Sequence, residues 1–180
     1  MICNILSNKS VWKFIVLASY APGAGYTRQE ILKLLHWNNL SLDRTLKKLE
    51  FYGIIIKEGR IIRLNLESVE TTLLLDVVEY EKKRLRQPSF ELFMILNEFL
   101  RLIEGKDIKK AYLFGSHAKK TASVHSDIDI AIFSDATLDL IEAQDAILQE
   151  FNKRIEVHYF SAQEKGKLVD EVVKHGVLIL

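Results

Sequence analysis

Cysteine is almost absent from the 180-residue chain, which has Cys3 and no other. A lone thiol cannot close an internal disulfide. With no Cys or His partners at zinc spacing it is not expected to ligate a structural metal either, so Cys3 reads as an incidental thiol near the chain end. Proline is equally scarce: Pro22, within Ala21-Pro22-Gly23, and Pro88, after Gln87, are the only two. Each is expected to terminate a helix. No run of about 18 apolar residues occurs, and patches such as 14–18 and 53–56 are soon interrupted by charge or turn residues, so no membrane span is expected. The N-terminus has no basic start, long apolar stretch or small-residue cleavage site. The expectation is a soluble, cytoplasmic protein without a secretory signal.

Apolar residues make up 48% of the sequence, enough for one full core or two small ones, and two compact domains are expected. The formal net charge of +1 hides an asymmetry. Residues 1–66 carry ten Lys/Arg against four Asp/Glu, 67–109 seven against nine, and 110–180 eight against eleven. A basic front favours a polyanionic partner, although a solvated surface has the same composition.

The front region reads as three helices followed by a hairpin. The first spans residues 9–20. Thr27 and Glu30 form a capping box for the second, with Ile31, Leu34 and Leu35 as its buried stripe. Ser41 is expected to cap the third, which runs to about residue 52 with Leu42, Leu46 and Leu49 facing inward and Arg44, Lys47 and Lys48 on the other face. Gly53 closes that helix, and residues 54–57 and 60–64 form two strands around Glu58-Gly59. Trp37, Phe51 and Tyr52 read as core. Residues 67–86 form a helix with Val69, Leu73, Val77, Tyr80 and Leu85 near one face, suited to packing on a domain or pairing with a second copy of the chain. Another helix covers 89–104 and ends at Gly105. The pattern then changes to strand 111–114, loop, strand 127–133, helix 138–152, strand 155–160 and helix 162–175, a mixed α/β order without internal repeats.

The chemistry concentrates in Leu113-Phe114-Gly115-Ser116 and, after nine intervening residues, Ser126-Asp127-Ile128-Asp129-Ile130-Ala131-Ile132-Phe133. Strand alternation puts Asp127 and Asp129 on one face while Ile128, Ile130 and Ile132 face the core. Paired carboxylates repel unless a cation joins them, and aligned oxygens suit a hard ion such as Mg²⁺. Gly115-Ser116 after a strand lets backbone amides and a hydroxyl approach a phosphate. Glu156, on the strand expected beside the aspartate strand, offers a third acid, which makes a two-ion site with spacing of about 3.5–4 Å feasible. His117, His125 and His158 lie near these acids in sequence. His158 would share a strand face with Glu156, which opens metal or nucleotide contact to it beside ordinary packing.

These residues resemble the DNA polymerase β nucleotidyltransferase superfamily, most closely its minimal prokaryotic members, over residues 89–180. The resemblance implies Asp127, Asp129 and Glu156 as catalytic and metal-binding residues. It implies Gly115, Ser116, Lys119 and Ser126 as contacts to the nucleotide, an NTP such as ATP, with Mg²⁺ or Mn²⁺ as cofactor. Two departures stand out: Lys119-Lys120 occupies the place of an Arg-Gly pair, and the third acid is Glu instead of the commoner Asp. The front region resembles winged-helix regulators, which implies DNA contacts from Arg44, Lys47, Lys48, Lys57 and Arg60, with Arg63 near the wing. The expected architecture is α+β in two domains. Residues 1–66 form a winged helix-turn-helix, 67–87 a helical connector, and 88–180 a nucleotidyltransferase fold with a mixed β-sheet flanked by helices. The function implied is transfer of an NMP from an NTP to a hydroxyl acceptor, on a helical partner protein in some relatives. A DNA-binding regulator whose second domain only senses nucleotide, or is inactive, stays open as the alternative.

Overall fold

The computed structural model describes residues 8–180, so Cys3 lies outside the described residues. The chain divides into two compact units between Arg84 and Leu85.

The first unit is organised around helix α1 (Lys9–Ser19), whose start is capped by Asn8 accepting from the Val11 amide. Val11, Phe14, Ile15, Val16, Leu17 and Ala18 are all buried. A helix apolar over most of its circumference is a central element, and α1 packs against two others introduced below. A short strand β1 (Gly25–Thr27) leads into α2 (Arg28–Leu35), then α3 (Asn39–Phe51), β2 (Ile55–Glu58) and β3 (Ile61–Leu64). The sheet is antiparallel in the order β1-β3-β2. The last helix of the unit is α4 (Val69–Arg84), and α3 and α4 are the two that pack on α1.

The capping box of α2 is present. Thr27 Oγ1 accepts from the Glu30 amide at 3.3 Å, while Glu30 Oε2 accepts from the Thr27 amide at 2.7 Å. Replacing Thr27 by Ala is expected to cost about 1 kcal/mol, read as a lower urea midpoint. The Thr27 amide, and after it the Thr27 hydroxyl, holds the Glu30 carboxyl below its usual range. For a carboxylate lowered on folding, the stabilisation is complete above the unfolded pKa and is lost as pH falls through the folded one. The difference between wild type and variant therefore shrinks in acid, and a midpoint difference that stayed constant there would contradict the role of the carboxylate.

Four expectations for this unit need correction. The N-cap of α3 is Asn38, not Ser41; its side chain accepts from the Ser41 amide at 2.9 Å. Leu34 is exposed, and Phe51 is 82% exposed instead of forming core. Phe51 is the last residue of α3, where the helix has turned away from the face that carries Leu42, Leu46 and Leu49. Helix α4 is rotated relative to its apolar count: Thr71, Leu74, Val78 and Lys82 are buried, while Val69, Leu73, Val77 and Tyr80 are exposed. The polar members of the buried stripe find carbonyls waiting. Thr71 donates to Ile54 O at 3.4 Å, and Lys82 donates to Ser19 O at 2.9 Å while its ammonium lies 3.9 Å from the Tyr20 ring centroid. Such satisfied polar groups enter a core at low cost, which hydrophobic periodicity alone cannot register.

The second unit is a four-stranded sheet with helices. Helix α5 (Phe90–Leu102), capped by Ser89, precedes β4 (Lys110–Leu113), a single-turn helix α6 (Gly115–Ala118), β5 (Ile128–Phe133), α7 (Ile141–Phe151), β6 (Ile155–Phe160), α8 (Lys167–His175) and β7 (Val177–Leu178). The strand order is β6-β5-β4-β7, with β5 and β6 parallel and the other pairs antiparallel. The two-residue edge strand β7 was not anticipated, and the last helix starts five residues later than expected. Ladder register sorts the side chains. Leu113, Ile128, Ile130 and Val177 share one face, on the side of Leu92 and Ile95 from α5. Tyr112, Ala131 and Phe133 share the other, packed under Val169 and Val172 of α8. Strand β5 is buried on both faces except at Asp129, which is half-buried.

Candidate active site

The site forms at the end of β5 where the cover from α8 gives out. Asp129 stands opposite Glu156 in the parallel ladder, and His158 follows two residues later on the same face of β6. One ligand atom from each of Asp129, Glu156 and His158 lies within 4.8 Å of the others. Asp127 is not in this cluster. It precedes the first paired residue of β5, Ile128, so it stands in the loop end and is exposed. Asp127 nonetheless stays close enough to Asp129 for its charge to help raise that carboxyl.

The turn after β4 completes the site. Gly115 adopts φ +65°, a conformation that glycine enters without penalty. A Cβ on Gly115 would fall 2.0 Å from Asp129 Oδ2, so the backbone is pressed directly against the carboxylate. The amide of Phe114 donates to Asp129 O at 3.0 Å, and α6 is closed by the Lys119 amide donating to Gly115 O and the Thr121 amide to Ser116 O. The segment expected as plain loop is thus a helical turn, with Ser116 following directly on the glycine that meets Asp129. Burial pushes the Asp129 carboxyl up, with Glu156 adding to the effect and the two imidazoles of His158 and His117 opposing it. A carboxylate strained in this way gains from a cation, which fits a divalent ion held by Asp129 and Glu156.

The other expected nucleotide contacts are engaged elsewhere. Lys119 pairs with Glu171 of α8 at 2.8 Å, and Ser126 accepts from the Ser123 amide at 2.9 Å within its own loop. Glu171 carried no sequence signal, because a single acid on an amphipathic helix looks like any solvated charge. His125 is exposed in the Ser123 turn, and His117 lies in α6 with Nε2 buried and unpartnered. His158 meets the Phe114 ring edge-on, with centroids 5.1 Å apart.

In the first unit Arg44, Lys47 and Lys48 are exposed on α3, and Arg60 is exposed at the hairpin tip. Among the described residues none of these four has an acidic partner, whereas Lys57 pairs with Glu50 at 2.6 Å and Arg63 pairs with Glu58.

Residues 97–180 match the family described as polymerase beta, nucleotidyltransferase. The matched segment lies within the second unit and contains Gly115, Ser116, Asp127, Asp129 and Glu156. Among solved structures the chain is similar to a toxin–antitoxin crystallised with AMP-PNP, at 26% identity over 47% of this chain and 72% of that one, with a TM-score of 0.40. It is also similar to two mutant forms of the toxin–antitoxin MntA–HpeT. One is 23% identical over 47% of this chain and 72% of that one, with a TM-score of 0.40. The other is 25% identical over 46% and 68%, with a TM-score of 0.35. No curated protein matches the sequence.

Proposed function

We propose that the second unit transfers a nucleoside monophosphate from an NTP to a hydroxyl acceptor, with Mg²⁺ or Mn²⁺ as cofactor. The observation that supports this reading is the close approach of the Gly115 backbone to the Asp129 carboxylate, which brings the turn read as phosphate-binding up to the acid read as a metal ligand. Gly115 and Ser116 bind the triphosphate through backbone amides and the serine hydroxyl. Asp129 and Glu156 hold the ion, with Asp127 available from the adjoining loop. The bound ion supplies charge neutralisation for the phosphates and lowers the pKa of the acceptor hydroxyl. The acceptor oxygen bonds to the α-phosphorus, the α–β bridging bond breaks, and pyrophosphate leaves. Glu156, the most exposed of the three clustered side chains, takes the hydroxyl proton. The resemblance to minimal nucleotidyltransferases favours an acceptor on a separate partner protein. Pyrophosphate release from NTP with Mg²⁺ or Mn²⁺, in the presence of cell extract, tests the reading. Release that requires the purified chain supports it, and nucleotide binding without release under all acceptor mixtures favours a nucleotide sensor instead.

The first unit we read as a winged helix that brings the enzyme to DNA. Its helix–strand–helix–helix–strand–strand order, with the unpaired Arg44, Lys47 and Lys48 on α3 and Arg60 on the hairpin, supports this. Removal of Arg44, Lys47 and Lys48 together is expected to weaken binding to duplex DNA and to reduce the slope of log K against log salt by about three. Fluorescence anisotropy at several salt concentrations measures this, and an unchanged slope would show that these cations are only a solvated face.

A further inference from the structure

The cluster at β5 and β6 is not all oxygen. His158 Nε2 is 3.5 Å from Glu156 Oε1, and both point to the side of the sheet that carries Asp129. His158 sits opposite Ala131, whose methyl leaves the imidazole free to lean along the strand toward the acids. The edge-on contact with Phe114 limits its rotation, and Phe114 belongs to the segment that leads into the Gly115 turn. A nitrogen of this imidazole lies within 4.8 Å of an oxygen of each of the two carboxylates. Mg²⁺ takes oxygen ligands almost exclusively and dehydrates reluctantly, whereas Mn²⁺ and later first-row ions accept imidazole nitrogen readily.

We infer that His158 is a nitrogen ligand of the divalent ion, and that the resulting Asp129–Glu156–His158 donor set selects Mn²⁺, or a later first-row ion, over Mg²⁺. The inference rests on the reading of this cluster as a metal centre and adds to it the ligand and the ion. The carboxylates supply the charge that draws any divalent ion, and His158 supplies the discrimination. Ligation by His158 also links the ion to Phe114, and through it to the turn that is to hold the phosphates.

The test uses the full chain and Mn²⁺ itself. Pulsed EPR on the Mn²⁺-loaded protein is expected to show coupling to an imidazole nitrogen, absent from His158→Ala. Calorimetric titration is expected to show Mn²⁺ affinity falling at least about tenfold in that variant, with Mg²⁺ affinity changing less. His158→Gln, which keeps bulk at the position, serves as the packing control and is expected to lose the nitrogen signal as well. Wild-type Mn²⁺ without nitrogen coupling, or the same Mn²⁺/Mg²⁺ preference in all three proteins, would overturn the role of His158. Asp129→Asn separates the two levels. If it abolishes Mn²⁺ binding while His158→Ala does not alter it, the carboxylate centre stands and the histidine ligand falls. If Asp129→Asn binds Mn²⁺ as wild type does, both fall.

Discussion

Asp129→Asn is expected to lower NTP turnover roughly a thousandfold while leaving thermal stability unchanged or slightly raised. The loss follows from removing a proposed ligand of the ion, since metal-assisted charge stabilisation is worth several kcal/mol and each 1.36 kcal/mol is about tenfold in rate. The stability side follows from the direction of the Asp129 titration. Its carboxyl is pushed up, first by burial and then by Glu156, so in the metal-free fold the ionised form is disfavoured. A carboxylate raised on folding costs stability above its unfolded pKa, and that cost disappears as pH falls and the group protonates. The neutral amide removes the same cost at all pH values. Solvent screening keeps the gain small, because Asp129 is only half-buried. Turnover and metal-free thermal melts measured side by side check both halves. A variant with undiminished turnover, or one that melts far below wild type, would contradict the assignment of Asp129 as a functional acid kept at the expense of stability.

Gly115→Ala is expected to have the second largest effect, and on both properties. The added Cβ would lie 2.0 Å from Asp129 Oδ2 and would force the carboxylate or the turn to shift. The φ of +65° adds a penalty of about 1–2 kcal/mol for any residue with a side chain. A Tm decrease of roughly 4–15 °C for the unit is expected, together with a loss of Mn²⁺ affinity and at least tenfold slower turnover on the scale of a displaced catalytic group. Nucleotide titration separates the effects: weaker NTP binding in the absence of metal points to the phosphate turn, and weaker metal binding in the absence of NTP points to Asp129. Wild-type affinity for both would mean that the close approach of turn and acid has no functional consequence.

Much of the site was legible from short-range pattern. Alternation along residues 128–133 showed which side chains share a face, though both faces prove to be core, and a parallel neighbour strand was enough to bring Glu156 opposite Asp129. Glycine directly after a strand signalled a turn with unusual backbone. What was not legible depended on where pairing starts and on what covers each face. Asp127 has the right spacing but lies one residue ahead of the ladder, whereas His158, readable as sharing a strand face with Glu156, does join the cluster. Lys119 carries the charge expected for phosphate contact, yet it pairs with Glu171, 52 residues away in sequence. In the first unit the local devices were readable, including the Thr27–Glu30 box and the Leu42, Leu46 and Leu49 stripe. The rotation of α4 was not, because Thr71 and Lys82 enter the core through carbonyl partners supplied by distant residues.

The central claim is that the Gly115–Ser116 turn and the Asp129–Glu156 pair form one centre for nucleotidyl transfer. It is tested most directly by incubating the purified chain with each α-labelled NTP and Mn²⁺ or Mg²⁺, alone and with cell extract, beside Asp129→Asn. Label carried to a macromolecule by the wild-type chain, absent with the variant and raising the acceptor mass by one nucleoside monophosphate, is the predicted result. NTP bound by both proteins with no label transferred and no pyrophosphate released by either would contradict it, and would leave the second unit as a nucleotide sensor.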